Sequence, residues 1–189
     1  MTLTRSLAAA GLLAVSLAAT SAHANSLTFQ GVTFDTQAID ADTLQLTISN
    51  ALAANGDWTG IQYLQAFEIK DIGNVTGATL TGWTSDVDHG LAANGLGCTT
   101  GGTPGACFFS APAMSLSNSM SFTIDFTGTG LNFDAPHLKV QFLESLTQDK
   151  PTGNLLSLTI PAVPEPQTYA LMLAGLAAVG FVARRRRQA

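Results

Sequence analysis

Hydrophobic and polar side chains alternate with a period of two through most of residues 25–162, and that period constrains the fold more than any other feature of the 189-residue chain. Leu44, Leu46 and Ile48 alternate with Thr43, Gln45 and Thr47. Met120, Phe122, Ile124 and Phe126 alternate with Ser121, Thr123, Asp125 and Thr127. Leu138, Val140 and Phe142 alternate with Lys139 and Gln141, Ile61, Tyr63, Phe67 and Ile69 share one face of another run, and Leu156, Leu158 and Ile160 close the set. Successive strand residues point to opposite faces of a sheet, so each run reads as an antiparallel strand with one face buried. Weaker strands are expected over 27–34, 75–83 and 107–111, and a single helical turn over 51–55. The 15 glycines and five prolines of this region fall mostly between the runs, where turns need them. About eight short strands with Gly-rich turns predict an all-β fold, a two-sheet antiparallel sandwich of Ig-like or jelly-roll type. No internal repeat of fixed period points to a propeller or β-helix.

The two ends follow a different logic. Met1 to Arg5 is a short basic start, Leu7 to Ala19 is an apolar run, and Ser21-Ala22-His23-Ala24 ends in a small-x-small pattern. These are the three regions of a secretory signal, with cleavage expected after Ala24. The apolar run of about 13 residues is short of the roughly 20 that a spanning helix needs. At the other end, Val163-Pro164-Glu165-Pro166 precedes an uncharged stretch from Tyr169 to Ala183 and four arginines, Arg184, Arg185, Arg186 and Arg187. As a transmembrane helix the stretch would be about 22 Å long, against a hydrocarbon core of roughly 30 Å, with Tyr169 and the arginine stems narrowing the gap at the two interfaces. Carrying four arginines through the bilayer centre would cost about 10 kcal/mol or more, so they are expected to stay cytoplasmic as a stop-transfer cluster. Two prolines keep the Pro164-Glu165-Pro166 tripeptide extended and accessible on the other side. The expected organisation is a signal peptide over 1–24, one domain over 25–162 and a processing segment over 163–189.

The order of proline-flanked acid, short apolar span and arginine cluster resembles the PEP-CTERM sorting signal. The resemblance implies recognition by an exosortase, a membrane-embedded cysteine transpeptidase that cuts at or near Pro164, Glu165 and Pro166 and passes the body onward. It also implies a Gram-negative host that makes exopolysaccharide. The plain alternative is a single-span anchor that is never cut. A looser resemblance to the bodies of other short PEP-CTERM proteins runs over residues 80–160. It rests on Trp83, Leu91-Ala92-Ala93-Asn94-Gly95, Cys98, Cys107-Phe108-Phe109, His137 to Phe142 and Gly153 to Ser157, and it brings no activity with it.

Within the body, composition excludes more than it assigns. Three lysines and no arginine stand against twelve acids, a net charge near −9. A phosphate-tracking surface needs clustered Lys and Arg, so nucleic acid is not an expected partner. Asp86 to Gly105 reads as a long irregular segment leading to Cys107. Behind a secretory signal the lone pair Cys98 and Cys107 is most simply a disulfide, and no nearby base would stabilise a reactive thiolate. No G-x-S-x-G elbow accompanies the serines. His137 is expected to be structural, His89 sits in a polar loop, and Glu68 and Glu144 read as solvated carboxylates rather than a glycosidase pair. Asp86 and Asp88 begin like a calcium loop, but Gly97 stands where a bidentate Glu is needed, which rejects an EF-hand. A looser calcium site from Asp86, Asp88 and a distant acid is the alternative kept open, and no other metal or cofactor is expected. Trp58, in a turn-like context, is a candidate platform for a glycan, weighed against folding over the sandwich edge.

The resulting expectation is a non-catalytic body on an exported, exosortase-processed protein. The route runs through signal peptidase, transient residence in the inner membrane with the body periplasmic, and delivery to the cell surface or outside the cell. There a structural or adhesive role in an exopolysaccharide (biofilm) matrix is expected. A glycan- or calcium-binding module and an extracytoplasmic enzyme are the alternatives.

Overall fold

The computed structural model describes residues 24–101, 105–153 and 156–161, together with Leu173, Gly175, Leu176 and Arg184 of the C-terminal stretch. The described residues form twelve strands: β1 (Ala24–Phe29), β2 (Val32–Ala38), β3 (Thr43–Ser49), β4 (Tyr63–Lys70), β5 (Asn74–Thr79), β6 (Thr84–Asp86), β7 (His89–Leu91), β8 (Cys98–Gly101), β9 (Gly105–Ser115), β10 (Ser119–Thr129), β11 (His137–Leu143) and β12 (Leu156–Thr159). Ten of them build two five-stranded sheets in the orders β1-β2-β3-β10-β5 and β12-β11-β4-β9-β6, and every pairing is antiparallel. Strands β7 and β8 pair separately.

The period of two does the work expected of it. In β10 buried and exposed residues alternate without exception from Ser119 to Thr127. The inward residues of the two sheets meet in one core, with aromatic contacts across it: Phe34 on Phe142, Phe67 on Phe122 and Phe108 on Phe126. The outward face of the first sheet is lined by short polar side chains that bond across strands. Thr28 meets Thr33 at 2.9 Å, Thr47 meets Ser121 at 2.9 Å, and Thr43 donates to Asp125 at 3.0 Å. Such cross-strand hydroxyl pairs each add a few tenths of a kcal/mol, roughly 0.2–1.

Several expectations change. The run over 27–34 is two strands, because Gln30 (φ 47°) and Gly31 (φ 83°) both sit in the left-handed region and close a two-residue hairpin. The segment from Asp86 to Gly105 is not irregular throughout: it holds the β7–β8 ribbon. These additions, with the short separate strand β6 after the expected 75–83 run, raise the strand count from about eight to twelve. The helical turn near 51–55 is a 3₁₀ turn over Ala51–Ala53. The signal peptide lies outside the described residues apart from Ala24, which opens β1. Of the expected transmembrane helix, Leu173, Gly175 and Leu176 are helical and exposed, as is Arg184, and the rest lies outside the described residues. No helix among the described residues is long and apolar enough to cross a membrane.

Candidate functional site

The β7–β8 ribbon lies on the outward face of the second sheet, and that explains the most unexpected burial in the molecule. Glu68, on β4, faces outward by its period yet is 1 % exposed. Its Oε2 accepts the Leu91 backbone N–H at 3.0 Å and lies 3.0 Å from Lys139 Nζ on the neighbouring β11. Gln141, two residues further along β11, is fully buried. Its Oε1 accepts Gly97 N–H at 3.0 Å, and its Nε2 donates to the Ala92 and Gly95 carbonyls. The bond between Cys98 and Cys107 fixes β8 to β9, and Ala66, Leu91, Cys107, Cys98 and Phe109 form a small apolar cluster beneath the ribbon. The expected disulfide is therefore present, packed in that apolar cluster. Glu68 is corrected from solvated to buried, because a polar ribbon, not water, covers its face; Glu144 is exposed as expected.

Beyond the ribbon, the same outward face carries His137, Lys70, Ser157 and Thr159. Register places His137 between Lys70 and Thr159, and Lys139 between Glu68 and Ser157. His137 Nε2 is 3.1 Å from Ser157 Oγ and Nδ1 is 3.3 Å from Thr159 Oγ1, with Asp71 Oδ2 at 3.9 Å. Partial burial, then the nearby Lys70 and Lys139 charges, hold the imidazole below its usual value, against the opposing pull of Asp71 and Glu68. A neutral imidazole between two hydroxyls ties the edge strand β12 to β11. The residues that sequence reasoning missed here (Asp71, Ser157, Thr159, and the Glu68–Lys139 pair) share no motif; only the strand register joins them.

The candidate ligand residues fall elsewhere. Trp58 is 1 % exposed, with edge-to-face contacts to Phe29 at 5.1 Å and Phe142 at 5.0 Å. Its ring closes one end of the core and offers no face to a sugar. Asp86 is occupied by its own turn: Oδ1 accepts the Asp88 and His89 N–H groups at 2.8 and 2.9 Å, and Oδ2 lies 2.9 Å from His89 Nδ1. Those contacts hold its carboxyl below the usual range against the opposing effect of partial desolvation. Asp88 is exposed beside it. No cluster of three or more metal-ligating side chains occurs among the described residues.

The two ends of the body meet. Ser26 N–H donates to Pro161 carbonyl at 3.4 Å, and Ile160 N–H donates to Pro136 carbonyl at 2.9 Å. The Asn25 side chain, 1 % exposed, donates to Phe133 carbonyl at 2.9 Å. The beginning of β1, the connection from β10 to β11 and the residues after β12 are thus joined at one end of the sandwich. Pro164, Glu165, Pro166, Arg185, Arg186 and Arg187 lie outside the described residues. Residues 162–187 match the PEP-CTERM protein-sorting motif, which starts at the residue after Pro161. No curated protein and no solved structure gives a significant match to the chain.

Proposed function

We propose, from a chain that carries a PEP-CTERM sorting motif and so implies export, a membrane-anchored precursor and processing by an exosortase, the following route and role. The body folds outside the inner membrane, is cut free at or near Pro164 to Pro166, and passes to the cell surface or the extracellular matrix. There it serves as a structural or adhesive, non-catalytic component among exopolysaccharide chains. The single observation that carries this reading is the matched motif over 162–187.

The body's chemistry supports the non-catalytic part. Several of its ionisable side chains have structural partners: His137 ties β12 to β11, Glu68 holds the ribbon, and Asp86 is bonded within its own turn. An acidic, arginine-free surface also stays hydrated and soluble in an extracellular setting. The test follows the protein in producing cells with and without their exosortase. The reading expects the body in the matrix or surface fraction only when the enzyme is present, with a membrane-bound precursor accumulating otherwise. Equal matrix fractions in both strains would contradict it.

A further inference from the structure

We infer that the end of the sandwich bearing Asn25, Pro136 and Pro161 is the face that the precursor presents to the membrane and its processing enzyme, an inference that rests on the sorting reading of the tail. The described body ends at Pro161, one residue before the sorting motif begins. Pro161 is held by Ser26, and Ile160, fully buried, is held by Pro136. Tyr169, where the apolar stretch begins, is eight residues after Pro161, a reach of at most about 28 Å for a fully extended chain. Only a fully stretched tether could bring the far end of the body to the bilayer, so the tethered end is the one that faces it. The N-terminal segment leaves from the same end, because Asn25 and Ser26 are bonded there too. The chain therefore enters and leaves the body at one end, and the opposite end, beyond the eight residues of β4, stands about 26 Å further out.

The charge of this end says what holds it there. Asp40, Asp42, Asp71, Asp125 and Asp134 lie in the turns and strand ends around it and are all exposed. Asp40 accepts the Asp42 and Thr43 N–H groups, and the Asp40 and neighbouring Asp125 carboxylates push the Asp42 carboxyl up. Anionic headgroups repel such an end within a Debye length of about 8 Å. The covalent tether, not adhesion to lipid, sets the orientation. Lengthening the tether should then free the body rather than leave it seated.

Signal-cleaved precursor, residues 25–189, carrying a fluorophore at Ala135→Cys, at the tethered end, or at Leu52→Cys, at the far end, tests this in bilayers with nitroxide-labelled headgroups. The native Cys98–Cys107 bond is kept oxidised during labelling. Quenching several-fold stronger at 135 than at 52 is expected. Insertion of 20 Gly/Ser residues after Ala162, with a root-mean-square span of about 25 Å, should bring the two sites close to equal. Equal quenching in the unextended precursor overturns the inference. Asymmetry that survives the long linker also overturns it, since the end would then bind lipid by itself. A precursor that does not float with the vesicles overturns the reading of the tail, and the orientation with it.

Discussion

Glu68 joins the ribbon to the second sheet through a buried charge. Its carboxylate serves a backbone N–H of the ribbon and the Lys139 ammonium at once, in a position that is 1 % exposed. Removing one partner of a buried pair strands the other, so Glu68→Ala should lower unfolding free energy by about 3 kcal/mol. In urea titrations this appears as a lower midpoint at unchanged slope. A loss under about 0.5 kcal/mol would place the pair with ordinary surface ion pairs. His137 gives a pH signature. Its imidazole sits below the ordinary 6.5 through burial first and the Lys70 charge next, while Asp71 and Glu68 oppose them. Between the folded and unfolded values the unfolded chain binds the extra proton, so stability rises with pH there. The contribution is complete above about 6.5 and is lost as pH falls through the folded value. His137→Gln should flatten that acid-side slope in a series of denaturation curves, and an unchanged slope would remove the imidazole from the account. None of these partners could be read from local sequence. Glu68 stands on a strand whose outward positions look solvated, and only the ribbon, 23 residues further along at Leu91, changes its surroundings.

At the scale of elements, legibility follows from where the determining contacts lie. Strands β3 and β10 follow directly from their alternation, because one face of each meets water or short polar residues and the other meets the core; β11 alternates in sequence as well, although the ribbon buries its Gln141. The β1–β2 hairpin was hidden because Gln30 takes a positive φ that glutamine seldom adopts, so nothing before Gly31 marked the turn. The ribbon was hidden because its strands carry little apolar alternation; the second sheet organises them, through Glu68, Gln141 and Cys107. The disulfide was legible from composition and compartment. It closes a loop of sequence separation 9, worth about 2.5 kcal/mol in the chain-entropy view. Replacing Cys98 and Cys107 by Ser should cost about that much. Hydrogen exchange should rise first at Leu91 and Gly97, whose N–H groups Glu68 and Gln141 hold, and leave β3 and β10 protected. Uniform loss of protection across both sheets would contradict a role confined to the ribbon.

At the scale of the whole molecule, two antiparallel sheets enclose one core and bring the chain's ends to one side. The two-sheet architecture was legible from periodicity alone. The strand order was not, since the orders β1-β2-β3-β10-β5 and β12-β11-β4-β9-β6 arise from pairings between segments far apart in the chain. Nor was the meeting of ends, which depends on single backbone bonds from Ser26 to Pro161 and from Ile160 to Pro136. The candidate site divided in the same way. The sorting motif, a contiguous pattern, was readable in full, while Trp58 was not placed by its polar neighbours, because Phe29, Phe34 and Phe142 gather around it only in the fold. The account stands or falls on what becomes of residues 162–187. Intact-mass spectrometry of the protein recovered from the matrix of producing cells measures that directly. The account predicts an N-terminus at Asn25 and a new C-terminus at or near Pro164 to Pro166, with the apolar stretch and Arg184 to Arg187 gone. Mature molecules that still end at Ala189 would contradict it and leave a simple tethered domain.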